Sequence, residues 1–216
     1  MNYERIYQYR FQQVSRGKKK AIWKEISEFF YSKLNRPERI LDSAGGMCEF
    51  INAVPASEKW VIDISHTVHD FAASDVKIVV GDSLKVELPL NYFDAVFISN
   101  FLEHLHSQEE VADFLERTYA VLRPGGKIAI IGPNFKYAFR EYFDFADHTV
   151  VLSELGVEEH LYGAGFTIQQ SYPRFLPLSF RGGLPVHRIL VRLYLNLPIV
   201  WFLFGKQFLI IAEKPE

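Results

Sequence analysis

The sequence RILDSAGGMCEF, residues 39–50, joins a short apolar strand, an acid, a turn with two glycines and the start of a helix. Glycine lets the backbone approach a ligand closely, and the free N–H groups at a helix start bind anions. The G-x-G-x-x-G pattern of dinucleotide-binding turns is absent, but Asp42 ends the strand ahead of Gly45 and Gly46. A carboxylate beside such amides suits a ligand with both an ammonium and a carboxylate group, as in a free amino acid moiety.

Strand-like and helical segments alternate on either side of this turn. Continuous Val/Ile runs are typical of parallel strands covered on both faces, and crossover helices between them indicate a doubly wound α/β sheet. Ligands bind such sheets at the carboxyl ends of the strands. The predicted strands are RILDS, KWVIDI, VKIVVGD, FDAVFIS and GKIAIIG, and the predicted helices lie near residues 47–54, 66–73 and 107–122.

The two ends of the chain complete this prediction. An apolar face at helical spacing, Trp23, Ile26, Phe29, Phe30 and Leu34, predicts a long helix, preceded by a shorter one from Tyr3 to Phe11. The basic run RGKKK, residues 16–20, is interpreted as a solvated link, and RPGG, residues 123–126, as a turn before the fifth strand. A helix near 151–163, a strand from Phe166 and a last strand QFLIIAEK follow. The expected fold is a Rossmann-like doubly wound sheet of about seven strands, mostly parallel, with an antiparallel C-terminal edge pair.

Composition narrows the class of protein. The 216 residues suffice for one domain with a sizeable core. A net charge of −2 gives no reason to expect nucleic acid. One cysteine suits a reducing cytoplasm, and the N-terminal residues show no secretory signal, so we expect a cytoplasmic protein.

Two further acids follow the next strands. Asp63 ends the second strand, at the distance where a carboxylate usually holds a ribose diol, and Asp82 with Ser83 follows the third, where an exocyclic amine of a base could donate. Amino acid, ribose and adenine, taken in this order, describe S-adenosylmethionine. The alternative is that these acids only form turns and helix caps.

These segments resemble the class I S-adenosylmethionine-dependent methyltransferases. The matching pieces are ILDSAGG, VIDIS, VVGDS, FDAVFISNFLEHL and LRPGGKIAIIGPN. The resemblance implies one domain over residues 1–216, with a helical lid at 1–36, a cofactor core at 38–132 and an acceptor side at 133–216. It places the methionine part of the cofactor at the glycine turn, the ribose at the second strand and adenine at the third, and S-adenosylhomocysteine is the implied product. The expected cofactor-binding residues are Asp42, Ala44, Gly45, Gly46, Asp63, Ile64, Asp82, Ser83, Ser99 and Asn100.

The glycine turn departs from the family pattern D-x-G-x-G-x-G at two positions. Ala44 replaces the first glycine and Cys48 the third. Alanine is a mild change, whereas the cysteine side chain is expected to intrude where the backbone approaches the cofactor and to weaken binding. We interpret Cys48 as a packing residue, since no neighbour in sequence would activate its thiol.

Histidines are the candidates for taking a proton from the acceptor, because their pKa lies near neutrality. His104 follows the fourth strand, where the Glu103-His104 pair resembles ubiquinone-type O-methyltransferases, and His148 lies in the loop after the fifth strand. Each has a structural alternative: Glu103-His104 packing the next helix, and His148 preceding a helix capped by Thr149 or Ser153. Some of those enzymes hold a divalent metal, but Asn100 stands in place of their first acid, so no metal site is expected.

The loop after the fifth strand is expected to form the acceptor pocket. The acceptor is predicted to be a small molecule, a hydroxyl of a saccharide or of a lipid-linked compound. The predicted acceptor-binding residues are Asn134, Tyr137, Arg140 and Tyr142.

Residues 174–206 contain no acid, five Arg or Lys and many large apolar residues. Three interpretations stay open: contact with the inner face of the membrane, packing or homodimerisation, and a lid over the acceptor. Two other functions also stay open, a catalytically degenerate methyltransferase fold that binds partners and a nicotinamide-dependent oxidoreductase.

Overall fold

The computed structural model describes residues 16–178 and 187–216, together with residues 5, 6 and 9. Most of the short helix expected from Tyr3 to Phe11 lies outside these residues, as does the middle of segment 174–206.

One seven-stranded sheet runs through the described chain, in the order β3-β2-β1-β4-β5-β7-β6. Strands β1 to β5 are parallel, and β7 pairs antiparallel with both β5 and β6. The predicted fold class and its antiparallel C-terminal pair are therefore confirmed. The strands are β1 Arg39–Asp42, β2 Glu58–Asp63, β3 Val76–Val80, β4 Phe93–Ser99, β5 Leu122–Pro133, β6 Thr167–Tyr172 and β7 Gln207–Glu213.

Helices cover both faces of the sheet. The described helices are α1 Arg16–Lys33, α2 Glu49–Ala53, α3 Val68–Phe71, α4 Gln108–Val121, α5 Phe135–Ala138, α6 Glu154–Gly163, α7 Arg188–Leu195 and α8 Pro198–Phe204, with 3-10 turns at Leu102–His104 and Tyr142–Asp144. The first three helices, with α7 and α8, contribute to the core on one face, and α4 and α6 to the core on the other.

The predicted amphipathic patterns account for this packing. Ile26, Phe30 and Leu34 are buried along α1 and just beyond its end, as their helical spacing predicted. Serine caps start the helices of the opposite face: Ser107 accepts from the Glu110 N–H and Ser153 from the Gly156 N–H. Of the two residues expected to cap the helix after His148, the structure uses Ser153.

Two sequence interpretations are wrong. The basic run at 16–20 forms the start of α1 instead of a link, because arginine and lysine are good helix formers. RPGG lies within β5, where the register against β4 shifts between Phe93 and Ala95. Gly125 has φ 72° and its N–H donates to the Lys214 carbonyl, so the expected turn is a bulge paired with the end of the chain.

The described part of segment 174–206 packs on one side only. Leu195 and Trp201 are buried in the core beside α1. Glu25 of α1, 3% exposed, holds Arg188 and Arg192 by ion pairs. Two of the arginines expected at a membrane surface are therefore turned toward α1. No helix among the described residues is long and apolar enough to cross a membrane.

Candidate cofactor and acceptor site

The strand order reverses between β1 and β4, which opens a crevice at the carboxyl ends of these strands. Asp42, Asp63 and Ser99 are the last residues of β1, β2 and β4. Asp82 and Ser83 follow β3, and the Ser83 hydroxyl donates to the Ser43 carbonyl at 2.8 Å. The three strand ends predicted to hold the cofactor thus lie side by side.

The glycine turn is tied to the two acids that flank it. The Ala44 N–H donates to the Asp42 carboxylate, and the Gly46 N–H to Asp63 Oδ2 at 2.8 Å. Asp63 Oδ1 accepts from the Ser65 N–H at 2.8 Å. Each carboxylate oxygen has a second lone pair, so Asp63 can accept two hydroxyl donors without releasing these bonds.

Glycine is required at the two turn positions for different reasons. A Cβ at Gly45 would lie 2.1 Å from Val61 Cγ2, so the close packing of the turn on β2 excludes any side chain. Gly46 has φ 52°, and a Cβ there would meet nothing within 4 Å. The turn therefore presents an open backbone surface at Gly46, on the side where a ligand would lie.

Burial changes the titration of the two turn acids. Burial raises the pKa of Asp42 to about 8, with further contributions from the charges of Asp63 and Glu49. It also raises the pKa of Asp63. A ligand ammonium group close to Asp42 would supply the positive charge that favours its ionised form.

Residues predicted around the adenine and the transferred methyl group are more open. Ile64 is 69% exposed beside Asp63. Asp82 pairs with Lys85 at 2.9 Å, which lowers the pKa of its carboxyl group. Asn100 is exposed with φ 51°, and its amide donates to the Ser99 hydroxyl.

Cys48 does not intrude on the turn. Its side chain is fully buried in the core and its Sγ lies 4.0 Å from the Val68 carbonyl oxygen. Burial raises the pKa of the thiol to about 12, as suits a packing residue. The expectation that this side chain stands where the cofactor approaches is wrong, because the left-handed backbone at φ 57° turns it inward.

The two candidate catalytic histidines lie together. The rings of His104 and His148 are 5.1 Å apart between centroids. His104 Nδ1 lies 2.9 Å from the Asp147 carbonyl oxygen and 3.5 Å from the Asp147 carboxylate. The acid next to His148 in sequence therefore approaches the other histidine.

Two of the predicted acceptor-binding residues are engaged elsewhere. Asn134 is fully buried; its amide donates to Glu154 and to the Pro173 carbonyl, and its oxygen accepts from the Lys136 N–H. Tyr142 is also fully buried and donates to the Val150 carbonyl at 2.6 Å. Both hold the acceptor loop together, so contact with a substrate would require that loop to rearrange. Tyr137 and Arg140 are exposed, with the Arg174 guanidinium over the Tyr137 ring.

Sequence reasoning missed the residues that orient this cluster. Phe145 stacks on His148 at 4.7 Å between ring centroids, and the Glu103 carbonyl accepts from the Thr149 and Val150 amides.

A residue near the glycine turn was also missed. Lys19, within the basic run interpreted as a link, has its Nζ 3.4 Å from Glu49 Oε1 beside the turn. The contacts of Thr149 and Val150 with Glu103, and of Lys19 with Glu49, join distant segments, and the sequence held no signal for them.

A separate cavity of about 310 Å³ opens at the other end of the sheet, among Asn35, Asp94 and Arg123. It lies at the amino ends of the strands, and none of the predicted site residues line it. Because it lies away from the carboxyl ends of the strands, it has no part in the candidate site.

Residues 41–130 match the model of a family described as methyltransferase domain. Over 122 residues the chain is 29% identical to a ubiquinone/menaquinone biosynthesis C-methyltransferase of Nitrosospira multiformis, covering 51% of this chain and 48% of the relative. A second such enzyme, of Cereibacter sphaeroides, is 27% identical over 141 residues, covering 56% of this chain and 54% of the relative. The chain thus spans about half the length of the curated relatives it matches.

Solved structures share the fold over most of the chain. A SAM dependent methyltransferase from Archaeoglobus fulgidus superposes with a TM-score of 0.69 at 21% identity, covering 99% of this chain and 100% of that one. The N-methyltransferase NodS from Bradyrhizobium japonicum, solved with S-adenosyl-L-homocysteine, superposes with a TM-score of 0.63 at 14% identity, covering 88% of this chain and 85% of that one.

The resemblance to the class I S-adenosylmethionine-dependent methyltransferases is therefore confirmed, and S-adenosylmethionine is the cofactor of this class. The family match covers β1 to β5, the part of the sheet that carries the glycine turn and the strand-end acids. It favours a methyltransferase over the nicotinamide-dependent alternative.

Proposed function

We propose that this protein transfers the methyl group of S-adenosylmethionine to a small, lipid-linked acceptor. The observation that carries this proposal is the junction of Asp42, the turn at Gly46 and Asp63 at two adjoining strand ends, those of β1 and β2. This junction offers a carboxylate for the ammonium group, open backbone for the methionine part and a second carboxylate for the ribose hydroxyls.

We assign removal of the acceptor proton to His104 and His148, whose rings lie 5.1 Å apart. Both follow strands whose carboxyl ends face the cofactor crevice, and His148 is 9% exposed. Removing the proton from a hydroxyl on an aromatic ring makes both its oxygen and the adjacent ring carbon better nucleophiles. The same site therefore serves methylation at oxygen, as the sequence suggested, or at carbon, as in the matched relatives.

An exposed apolar surface favours a lipid-linked acceptor over a saccharide. Phe202, Leu203 and Phe204 of α8 are 53–67% exposed, and Ile189 and Leu193 of α7 are 61% and 52% exposed. Arg174 lies over both Phe202 and Tyr137, which joins this surface to the acceptor loop. Such surfaces mark binding sites, and here we infer contact with the inner face of the membrane.

Two measurements test the proposal. S-adenosylhomocysteine release should require an acceptor with a ring hydroxyl, and the mass and fragmentation of the product locate the new methyl group at oxygen or carbon. No release of S-adenosylhomocysteine with any acceptor, despite cofactor binding, would favour the degenerate binding protein.

Flotation with vesicles that contain anionic lipid tests the surface. Wild type should float, F202S/L203S should stay at the bottom, and L90S, which alters a 70% exposed leucine elsewhere, should behave as wild type. A stable dimer that does not float would instead assign the surface to a second copy of the chain.

A further inference from the structure

Three side chains with metal-binding atoms meet at the acceptor end of the site. Glu103, His104 and His148 each place one ligand atom within 4.8 Å of the other two. Two imidazoles and one carboxylate are the protein ligands of many catalytic zinc and non-haem iron sites, which keep positions open for substrate or water.

The backbone holds the two contributing segments together. The amides of Thr149 and Val150 donate to the Glu103 carbonyl at 2.8 and 3.1 Å, and the Thr149 hydroxyl donates to the Leu105 carbonyl. These bonds fix the loop that carries His148 against the turn that carries Glu103 and His104. The cluster therefore does not depend on a chance meeting of flexible side chains.

The His104 ring has the tautomer that a metal ligand needs. A carbonyl oxygen only accepts hydrogen bonds, so Nδ1, 2.9 Å from the Asp147 carbonyl oxygen, carries the proton. In the neutral ring the lone pair is then on Nε2, which lies 3.9 Å from Glu103 Oε1. A donated bond to a backbone carbonyl is how metal-binding histidines are usually oriented.

The other two ligands are also set in place. His148 stacks on Phe145 with 14° between the ring planes, and the edge-on Tyr142 ring lies 4.9 Å away. The Glu103 side chain is 1% exposed, and a carboxylate so far from water is stabilised by a nearby cation.

We propose that Glu103, His104 and His148 bind a divalent transition-metal ion such as Zn²⁺, Mn²⁺ or Fe²⁺. The sequence predicted no metal because Asn100 replaces an acid, but the structure brings in His148 from 45 residues after Glu103 to complete the set. The role of the ion rests on the proposed function: it would bind the acceptor oxygen and lower the pKa of its hydroxyl. His148 would then act as a ligand instead of a base.

Metal binding by the full-length chain, first stripped of metal with a chelator, tests this proposal. Co²⁺ binding is followed by visible absorption and Zn²⁺ binding by calorimetry, in both cases without cofactor. Wild type should bind one ion per chain and give the visible spectrum of Co²⁺ with nitrogen ligands. E103Q and H148Q should each weaken binding by more than the roughly 10- to 100-fold loss seen when a residue that only supports a ligand is removed. H106Q, at a histidine whose side chain is 71% exposed, should bind as wild type.

Binding of S-adenosylhomocysteine by the same variants shows that they are folded, and it separates this proposal from the proposed function. Stoichiometric metal without cofactor binding would leave the metal site standing and remove the methyltransferase. No uptake by wild type, or uptake that E103Q and H148Q leave unchanged, would overturn the metal site and return His148 to the role of base.

Discussion

Individual residues at the glycine turn carry most of the chemistry proposed here. Asp42 contributes both a charge and a buried carboxyl group, while Gly45 and Gly46 contribute the absence of a side chain. Because each acts by a different physical effect, each gives a separate test.

The stability of the ligand-free protein should depend on pH through Asp42. Its pKa is raised from about 4 in an unfolded chain to about 8 in the folded protein. Between these values the folded state holds a proton that the unfolded state has lost, so its contribution to stability falls as pH rises and levels off above pH 8. D42N removes this dependence. Urea unfolding of wild type and D42N across this range should show the variant gaining in relative stability as pH rises; parallel curves would contradict this.

Adding one methyl group at Gly45 should lower the stability of the protein. The new Cβ of G45A would lie 2.1 Å from Val61 Cγ2, and overpacking of this kind costs about 1–3 kcal/mol. Denaturant unfolding should show this loss, whereas G163A, at a helical glycine with nothing within 4 Å, should keep wild-type stability. The double variant G45A/V61A should lose less free energy of unfolding than the two single variants together, because V61A removes the atom with which the new Cβ clashes. Strict additivity would contradict the steric account.

At the scale of elements, α1 holds α7 through one buried acid. Burial alone would raise the pKa of Glu25, but hydrogen bonds from Arg192 and Arg188 lower it overall. This clamp sets the orientation of α7, and therefore which of its faces is exposed.

E25A should release this clamp. We expect a loss of about 1–3 kcal/mol in the free energy of unfolding. Because both arginines are about half exposed and can return to water, they would no longer hold α7 against α1. We therefore also expect faster amide exchange over residues 188–204. E28A alters a 45% exposed acid 3.7 Å from Arg192 and should have little effect. Unchanged exchange in α7 and α8 of E25A would show that apolar packing alone holds them.

Local sequence patterns predicted the elements more fully than their contacts. The strands from Phe93 to Ser99 and from Gln207 were predicted to within a residue, because buried Val/Ile runs have few other structural solutions. RPGG was mistaken for a turn because its pairing with β4 and the chain end is not local. The strand-end acids could be predicted because parallel topology fixes which end of each strand faces the crevice.

Contacts between loops did not follow from sequence. The meeting of His104 with His148 depends on hydrogen bonds between Thr149 and the segment at 103–105. Asn134 and Tyr142 were predicted to bind the acceptor, yet the Asn134 amide donates to Glu154 and to the Pro173 carbonyl, and the Tyr142 hydroxyl donates to the Val150 carbonyl. A polar loop residue can either bind a substrate or form hydrogen bonds within the protein, and only the folded structure shows which it does.

At the scale of the whole molecule, one edge of the sheet combines three features. The glycine turn with its acids lies at the ends of β1 and β2, the histidine cluster follows β4 and β5, and the exposed apolar surface of α7 and α8 adjoins the acceptor loop. In the proposed function these hold the cofactor, activate the acceptor and bring the protein to a membrane. The first of them is required for the other two to serve methyl transfer.

The measurement that tests this most directly is calorimetric titration with S-adenosylhomocysteine. Wild type should bind one molecule with a dissociation constant on the order of micromolar, within the usual range for enzyme ligands. D63A should abolish binding, D63N should weaken it while keeping an acceptor for the Gly46 N–H, and D113A, at an exposed acid of α4, should bind as wild type. No binding by wild type, or equal binding by D63A, would contradict the assignment of the cofactor to these strand ends.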